Sequence, residues 1–580
     1  MIVSFITKKL NVCQVAKKLM VMNLYGCYNL SAIPDLSGHE TLEKLVLERC
    51  YSLIKIHESV GNMSALLHLN LRDCQNLVEF PAEVSGLKNL EKLILSGCSK
   101  LKELPGDIGS MGSLKELLVD DTAISKLPES IFRLTKLEKL SLNSCQFLRR
   151  LPNCIGKLSS LKKLSLNYSG IEEIPDSVGL LVNLENLGLI LCASLTSIPD
   201  SVGKLISLTE LVTHGSAIKE LPASIGSLSY LKDLSVGNCR FLSKLPDSIE
   251  GLASIVELQL DGTSITNLPD QVGALKMLRK LKMRNCTNLI CLPESIGNLF
   301  ALTSFDVYNA KISELPESIG MLENLIILRL SKCTQLHKLP ASIGNLKSLH
   351  DLLMEETAVT ELPESFGMLS SLVRLKMGKN PHFQLAGNSV TEEVVIATAE
   401  EKPSPFGLPT SFSNLYSLEE LDARAWKLCG KIPDDFEKLS SLKILNLAHN
   451  NFSSLPSSLR GLSFLKTLLL HHCKELKSLP PLPSSLVEMN VAHCTALERV
   501  SDLSNLESLC DLNLTNCMKV EDIPGLECLK SLIRLFMSGC KTCSSEVKKR
   551  LSKVLSLPQS CLCFIILFIL RKFRGKKKSK

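Results

Sequence analysis

Aromatic residues are scarce: they make up 4% of the 580 residues, and tryptophan occurs once, at Trp426. Large rings normally fill irregular core space, so their scarcity implies a core of small and aliphatic groups in a repeated mould. Motifs that announce chemistry are missing too. There is no GxxxxGK[ST] loop, no HExxH, no GxSxG and no paired CxxC at zinc-finger spacing. Phosphate-loop nucleotide binding is thereby excluded, and no constellation supports a catalytic residue, a cofactor, a metal or a small-molecule substrate. The apolar run Cys561–Leu570 is ten residues long, against the roughly 20 that a bilayer-spanning helix needs. The opening MIVSFIT has no preceding charge and no convincing cleavage site, so it reads poorly as a signal peptide. Acids are missing from residues 561–580, where Arg571, Lys572, Arg574, Lys576, Lys577, Lys578 and Lys580 supply the whole formal charge of +7. Setting those seven aside (66 − 7) leaves 59 basic against 59 acidic residues, so the body is neutral and carries no charge argument for nucleic acid.

What the chain has in abundance is leucine at a fixed period. LxxLxL segments open at Leu90, Leu114, Leu137, Leu161, Leu184, Leu208 and Leu231, then at Ile255, Leu278, Leu302, Leu325, Leu349 and Leu372. The steps alternate 24 and 23 residues. Eight residues after the opening leucine, one class of unit carries Cys98, Cys145, Cys192, Cys239, Cys286 or Cys333. The other carries Thr122, Ser169, Ser216, Thr263, Ala310 or Thr357. A period of this length marks a stacked solenoid, and LxxLxLxx(C/T) followed by Leu-Pro resembles the leucine-rich repeat. The expected architecture is an α/β solenoid of about 21–22 repeats: a horseshoe with a parallel concave sheet and short helical or irregular convex returns. In each unit Leu93 and Leu95, or their equivalents, enter the core, while Ile94, Ser96 and Gly97 face solvent. The proline of Leu104-Pro105 turns the chain away, and Ile108 and Met111 point inward on the return. One unit cannot bury its own two flat sides, so stability lies in the stack.

Twenty-two cysteines suggest a disulfide scaffold until they are placed. Thirteen share the repeat position. From Cys98 to Cys333 a non-cysteine unit separates successive ones, putting them roughly 10 Å apart, beyond bridging range. They read as buried thiols in a reducing compartment. Where cysteine-bearing units are adjacent, as at Cys27, Cys50, Cys74 and Cys98 or Cys473, Cys494, Cys517 and Cys540, distance alone leaves pairing open.

The chain divides into a lead-in over 1–18, a solenoid over 19–543, a helical close over 544–560 and a hydrophobic-basic tail over 561–580. Because repeats begin almost at once, something is expected to precede them. The 46 residues from Leu372 to Leu418 hold an irregular stretch at 381–407. Residues 372–417 read either as degenerate repeats in register, the favoured reading, or as a looped-out insertion. The tail has the composition of a segment for weak membrane-surface contact, or of a disordered end.

Candidate binding residues lie on the outward strand positions, where charge runs in bands. Lys282, Arg284, Arg329 and Lys376 alternate with Asp306, Tyr308, Glu355 and Glu356, followed by Asp422 and Arg424. Opposite charges on adjacent strands partly neutralise each other, which suits a protein partner better than nucleic acid. His449, His472 and His493 align in three successive units, with His471 beside them. Three such imidazoles read as a solvated polar stripe rather than a chelate. Trp426 replaces the Cys/Thr position and is expected to pack inward.

The stretches LSGCSKLKELPGDIGSMGSLKELLVDDTAISKLPESI (Leu95–Ile131), LDARAWKLCGKIPDDFEKLSSLKILNLAHNNFSSLPSSL (Leu421–Leu459) and LTNCMKVEDIPGLECLKSL (Leu514–Leu532) carry a resemblance. They resemble the leucine-rich-repeat region of plant disease-resistance proteins, specifically those with a Toll/interleukin-1-receptor domain and a nucleotide-binding domain. The resemblance covers roughly residues 15–553. It implies a plant-defence recognition module that binds a pathogen effector, a guarded host protein or a signalling partner and restrains signalling, in the cytoplasm and also in the nucleus or at a membrane periphery. The family's signalling, nucleotide-binding and trailing β-rich domains have no counterpart here, so nucleotide switching and NAD cleavage do not carry over. The LPxxIGxLxxL returns also resemble Ras-group leucine-rich-repeat proteins, which makes a freestanding signalling scaffold the alternative.

Overall fold

A computed structural model describes residues 18–381, 408–432 and 435–554. The lead-in, most of the irregular stretch and the hydrophobic-basic tail fall outside the described residues. The chain forms two compact units, Met1–Leu289 and Ile290–Lys580.

In the first unit β1 (Val21–Asn23), β2 (Lys44–Val46), β3 (His68–Asn70) and β4 (Lys92–Ile94) come first. Next are β5 (Glu116–Leu118), β6 (Lys139–Ser141), β7 (Lys163–Ser165) and β8 (Asn186–Gly188). The last are β9 (Glu210–Val212), β10 (Asp233–Ser235), β11 (Glu257–Gln259) and β12 (Lys280–Lys282). Each pairs in parallel with the next, and the register matches the leucines: Leu93 lies opposite Leu117, and Leu117 opposite Leu140.

The second unit repeats the plan with β13 (Ser304–Asp306), β14 (Ile327–Arg329), β15 (Asp351–Leu353), β16 (Arg374–Lys376) and β17 (Glu420–Asp422). Then come β18 (Cys429–Lys431), β19 (Ile444–Asn446), β20 (Asn451–Ser454), β21 (Thr467–Leu469), β22 (Glu488–Asn490), β23 (Asp511–Asn513) and β24 (Arg534–Phe536). β18 and β20 form a separate parallel pair. The remaining strands bring the number in the two parallel stacks to 22 among the described residues. β16 pairs directly with β17, Leu375 opposite Leu421. The stretch between them, read from the sequence as degenerate repeats or an insertion, lies largely outside the described residues. α1 (Ser545–Val554) follows the last coil, burying Val547 and Val554. Its Arg550 pairs with Glu527 at 2.6 Å and Asp522 at 3.4 Å, fastening it to the final return.

Burial follows stacking rather than sequence. In the first coil the inward Leu19, Met22, Leu24 and Cys27 stay part-exposed. Their equivalents one coil on, Leu42, Leu45, Leu47 and Cys50, are all 0% exposed. From Cys50 onward the ladder thiols also find partners: Cys98 donates to the Leu71 carbonyl at 3.2 Å and Cys145 to that of Val119 at 3.2 Å. Thr122 instead caps its own strand end, donating to Val119 at 2.9 Å. The cysteines of the adjacent units are free.

Three positions expected to face outward need correction. Ile94, Ser96 and Gly97 are buried, not solvated. Neighbouring strands are so close that side chains of one coil cover the next: Ser96 donates to Asp120 at 2.9 Å, and Asp73 crowds the Cα of Gly97.

Most returns are single 3-10 turns beginning just after the Leu-Pro proline, as at Glu317–Met321 and Ala341–Asn345, while that at Ile108–Ser110 begins after Asp107. They stack as closely as the strands because each IG glycine lets the next coil's serine carbonyl lie against its Cα. A Cβ at Gly109 would overlap the carbonyl of Ser130, and one at Gly320 that of Ser342. Within one return, Gly112 has nothing within 4 Å of the same position. Gly109→Ala should therefore destabilise the protein by roughly 1–3 kcal/mol. Gly112→Ala should be neutral or slightly stabilising. Urea unfolding midpoints of the two variants check this, and equal effects would contradict the close contact.

Candidate functional site

The strand face of the second unit gathers most of the sequence-predicted binding residues, and the pairing register says why they meet. Asp306 lies directly opposite Arg329, and Asp351 opposite Arg374. Their charged groups are 3.5 Å and 2.5 Å apart. Asp306 is itself buried, at 1% exposure, and also accepts from the Tyr308 backbone N–H at 3.2 Å. Its part is to hold Arg329 and the Tyr308 turn in place. Lys376 reaches diagonally to Glu420 at 2.9 Å. Asp422 pairs with Arg424 at 3.6 Å and accepts from the Arg424 backbone at 3.1 Å. Burial raises the Asp422 pKa above the ordinary aspartate value, its bonds to Arg424 opposing that rise. Ser331 donates to Glu355. The Lys332 ammonium lies 5.4 Å from the centre of the Tyr308 ring, and the hydrogen bond between them raises the lysine pKa. Lys379 is held against the Val359 carbonyl at 2.8 Å, and burial lowers its pKa.

Lys282 and Arg284 belong to the strand face of the first unit. Lys282 binds Glu257, which Lys280 also reaches at 3.2 Å. The Arg284 backbone N–H donates to Asp261 at 2.7 Å. Exposed pairs of this kind contribute about 0–1 kcal/mol each to stability. Their effect is to fix a charge pattern on a surface whose backbone is already rigid.

Sequence reasoning missed the backbone rule behind the next row. The residue just before the Cys/Thr position adopts a left-handed conformation in coil after coil, with φ of 60° at Asn309, 64° at Lys332, 58° at Glu356 and 57° at Asn516. In the first unit the same place holds Asp73, Gly97, Asp121, Gly215, Asn238 and Gly262, all at positive φ. The recurrence of Gly, Asn and Asp there was the available signal.

His449, His472 and His493 occupy this row at φ of 58°, 62° and 62°. The rings stack face to face, 4.5 Å and 4.3 Å between centroids and within 11° and 5° of parallel. Parallel faces keep the in-plane nitrogen lone pairs side by side instead of converging. Among the described residues no group of three or more His, Cys, Asp or Glu is arranged to hold a metal. His471 packs edge-on to His449 at 5.3 Å, with its Nδ1 buried and unpartnered. Trp426 is buried at 2% exposure in the inward position expected for it. A cavity of about 560 Å³ lies among the Leu-Pro turns of the first unit, lined by Leu104, Pro128 and Pro152 among others, with no His or Cys in its lining.

With the geometry in place, comparison with known proteins decides the family. Residues 22–149 match the family described as "Leucine-rich repeat region", and residues 441–462 match "Leucine Rich Repeat". A solved leucine-rich-repeat protein of Leptospira interrogans is 30% identical, with a TM-score of 0.52. The alignment covers 63% of this chain and 92% of that one. The chain belongs to the leucine-rich-repeat family. Its repeats are also similar to those of plant disease-resistance proteins. TMV resistance protein N of Nicotiana glutinosa is 42% identical over 87 residues, and the disease resistance-like protein DSC1 of Arabidopsis thaliana 43% over 72. These matches cover 15% and 12% of this chain and span 8% and 6% of those relatives' own lengths. No helix among the described residues is long and apolar enough to cross a membrane.

The histidine cluster makes this leucine-rich-repeat surface sensitive to pH. Burial, followed by the charges of His472, Arg424 and His493, lowers the His471 pKa below 6.5. Below about pH 6.5 the unfolded chain takes up a proton there that the folded chain refuses. Stability should therefore fall as pH drops through 6.5 towards the folded pKa. His471→Gln should flatten that dependence, read as melting temperature at pH 7.5 and 5.5, and an unchanged slope would contradict it.

Proposed function

We propose that the strand face of the second unit is a protein-recognition surface, and that the chain is the recognition module of a plant intracellular disease-resistance receptor. On this reading it binds a pathogen effector or a guarded host protein and restrains signalling. The observation that carries it is the run of paired charged and aromatic side chains across adjacent coils, Tyr308, Arg329, Glu355 and Lys376 half-exposed and Lys332 and Arg424 exposed. A partner meeting such a surface finds groups whose positions are already set, so less ordering opposes binding. Alternating signs favour a complementary protein over a polyanion. Similarity to TMV resistance protein N and its relatives supplies the plant-defence part, and the buried free thiols suit a reducing, cytoplasmic setting.

The test is proximity labelling in plant tissue with and without pathogen challenge, using the full chain. The expected result is a challenge-dependent partner whose recovery falls on the order of tenfold when Arg329, Lys376 and Arg424 are changed to Glu together. Arg460→Glu, on an exposed return, should leave recovery unchanged. Constitutive partners alone, indifferent to the charge reversals, would favour the freestanding Ras-group-like scaffold.

A further inference from the structure

Strands β4, β5 and β6 pair in unbroken register, yet the Leu-Pro corners of the same three coils leave a gap. It is the cavity of about 560 Å³, and its floor is the buried Leu104, Leu127 and Leu151. Binding clefts run from roughly 300 to 1,000 Å³, so its size suits a ligand.

Three departures from the repeat coincide there. The middle return, Glu129–Arg133, begins just after Pro128, whereas those on either side, Ile108–Ser110 and Ile155–Lys157, begin after Asp107 and Cys154. Gly106 stands where the next two coils carry Glu129 and Asn153, and a Cβ on it would have nothing within 4 Å. Glu103 and Lys126 are opposite in charge and equivalent in adjacent coils, yet they form no ion pair among the described residues. Further along, the same position does pair across coils: Arg150 and Glu173 form an isolated parallel bridge, with their charged groups 3.3 Å apart.

We propose that this cleft binds an extended segment of a partner protein, with a basic side chain at Glu103 and Glu129, apolar side chains on the leucine floor and an acidic side chain at Lys126 and Arg150.

The charges choose the ligand. Two acids and two bases border the floor, all four exposed. A polyanion or a small organic acid meets repulsion from half of them, while a segment carrying both signs is attracted by all. Glu103 and Lys126 hold no ion pair, so the segment displaces none at those positions. The reach agrees. From the first corner to the third is two coil spacings, roughly 10 Å. An extended chain with three residues per turn brings every third side chain to one face, about 9 Å apart. The basic and acidic residues therefore stand three apart, with two apolar residues between them. The site belongs to the first unit and uses none of the strand-face residues of the second, so either surface stands without the other.

The test uses the full chain and three fluorescent hexapeptides, each with glycine at both ends, read by fluorescence anisotropy. The first has the centre lysine, leucine, leucine, glutamate. The second carries glutamate at both charged positions, and the third lysine at both. The first should bind roughly fivefold more tightly than either of the others, as when one exposed ion pair becomes a repulsion. Glu103→Lys and Glu129→Lys together should pass the preference to the peptide with two glutamates. Gly106→Phe, at a position with open space and no left-handed φ, should fill the cleft and weaken all binding roughly tenfold. Lys136→Glu, exposed and outside the lining, should leave the order of affinities unchanged. Equal binding of the three peptides, no binding at all, or a preference unmoved by the paired reversal would overturn the proposal.

Discussion

Every feature of this protein depends on how closely one coil lies against the next. Parallel backbone bonds set the spacing: the Leu95 N–H donates to the Leu118 carbonyl at 2.7 Å and the Val119 N–H to that of Ser141 at 2.8 Å. Leucines at Leu93, Leu117 and Leu140 then fall into one dry column, each completing the burial of its neighbour. The returns accept the same spacing only because glycine stands where a serine carbonyl arrives. Strand and return are thus held to one pitch, and neither could relax without opening the other.

That pitch governs the surface as well as the core. Side chains at equivalent positions of adjacent strands are direct neighbours, so a carboxylate such as Asp306 meets Arg329 without any tight turn or long-range loop. The same spacing, with a left-handed residue before each Cys/Thr position, stacks His449 on His472 and His472 on His493. Ordinary surface charge becomes a fixed array because the backbone beneath it has no freedom left. The second unit adds an internal version of this column in Phe366, Phe412 and Phe436, stacked at 6.3 Å and 6.4 Å.

The architecture was legible because its determinants are periodic. Inward leucines, the Cys/Thr alternation and the inward Trp426 could all be placed by counting. Two features escaped counting, for physical reasons. Ile94 and Ser96 are covered by a neighbouring coil, and a strict in/out alternation carries no information about how far the next coil's side chains reach. The left-handed row needs a backbone angle, of which composition gives only the preference for Gly, Asn and Asp. At the candidate surface the charge bands could be read from the sequence. The burial of Asp306 could not, since it depends on how closely the neighbouring coils cover it.

Hydrogen–deuterium exchange at single-residue resolution tests the stacking claim most directly. The slowest amides should recur every 23 or 24 residues on the strand segments, at Leu95, Val119 and Leu142 and again at Val307 and Leu330, whose N–H groups bond across coils. Protection in continuous blocks without that period, or fast exchange at those amides inside an otherwise protected chain, would contradict it.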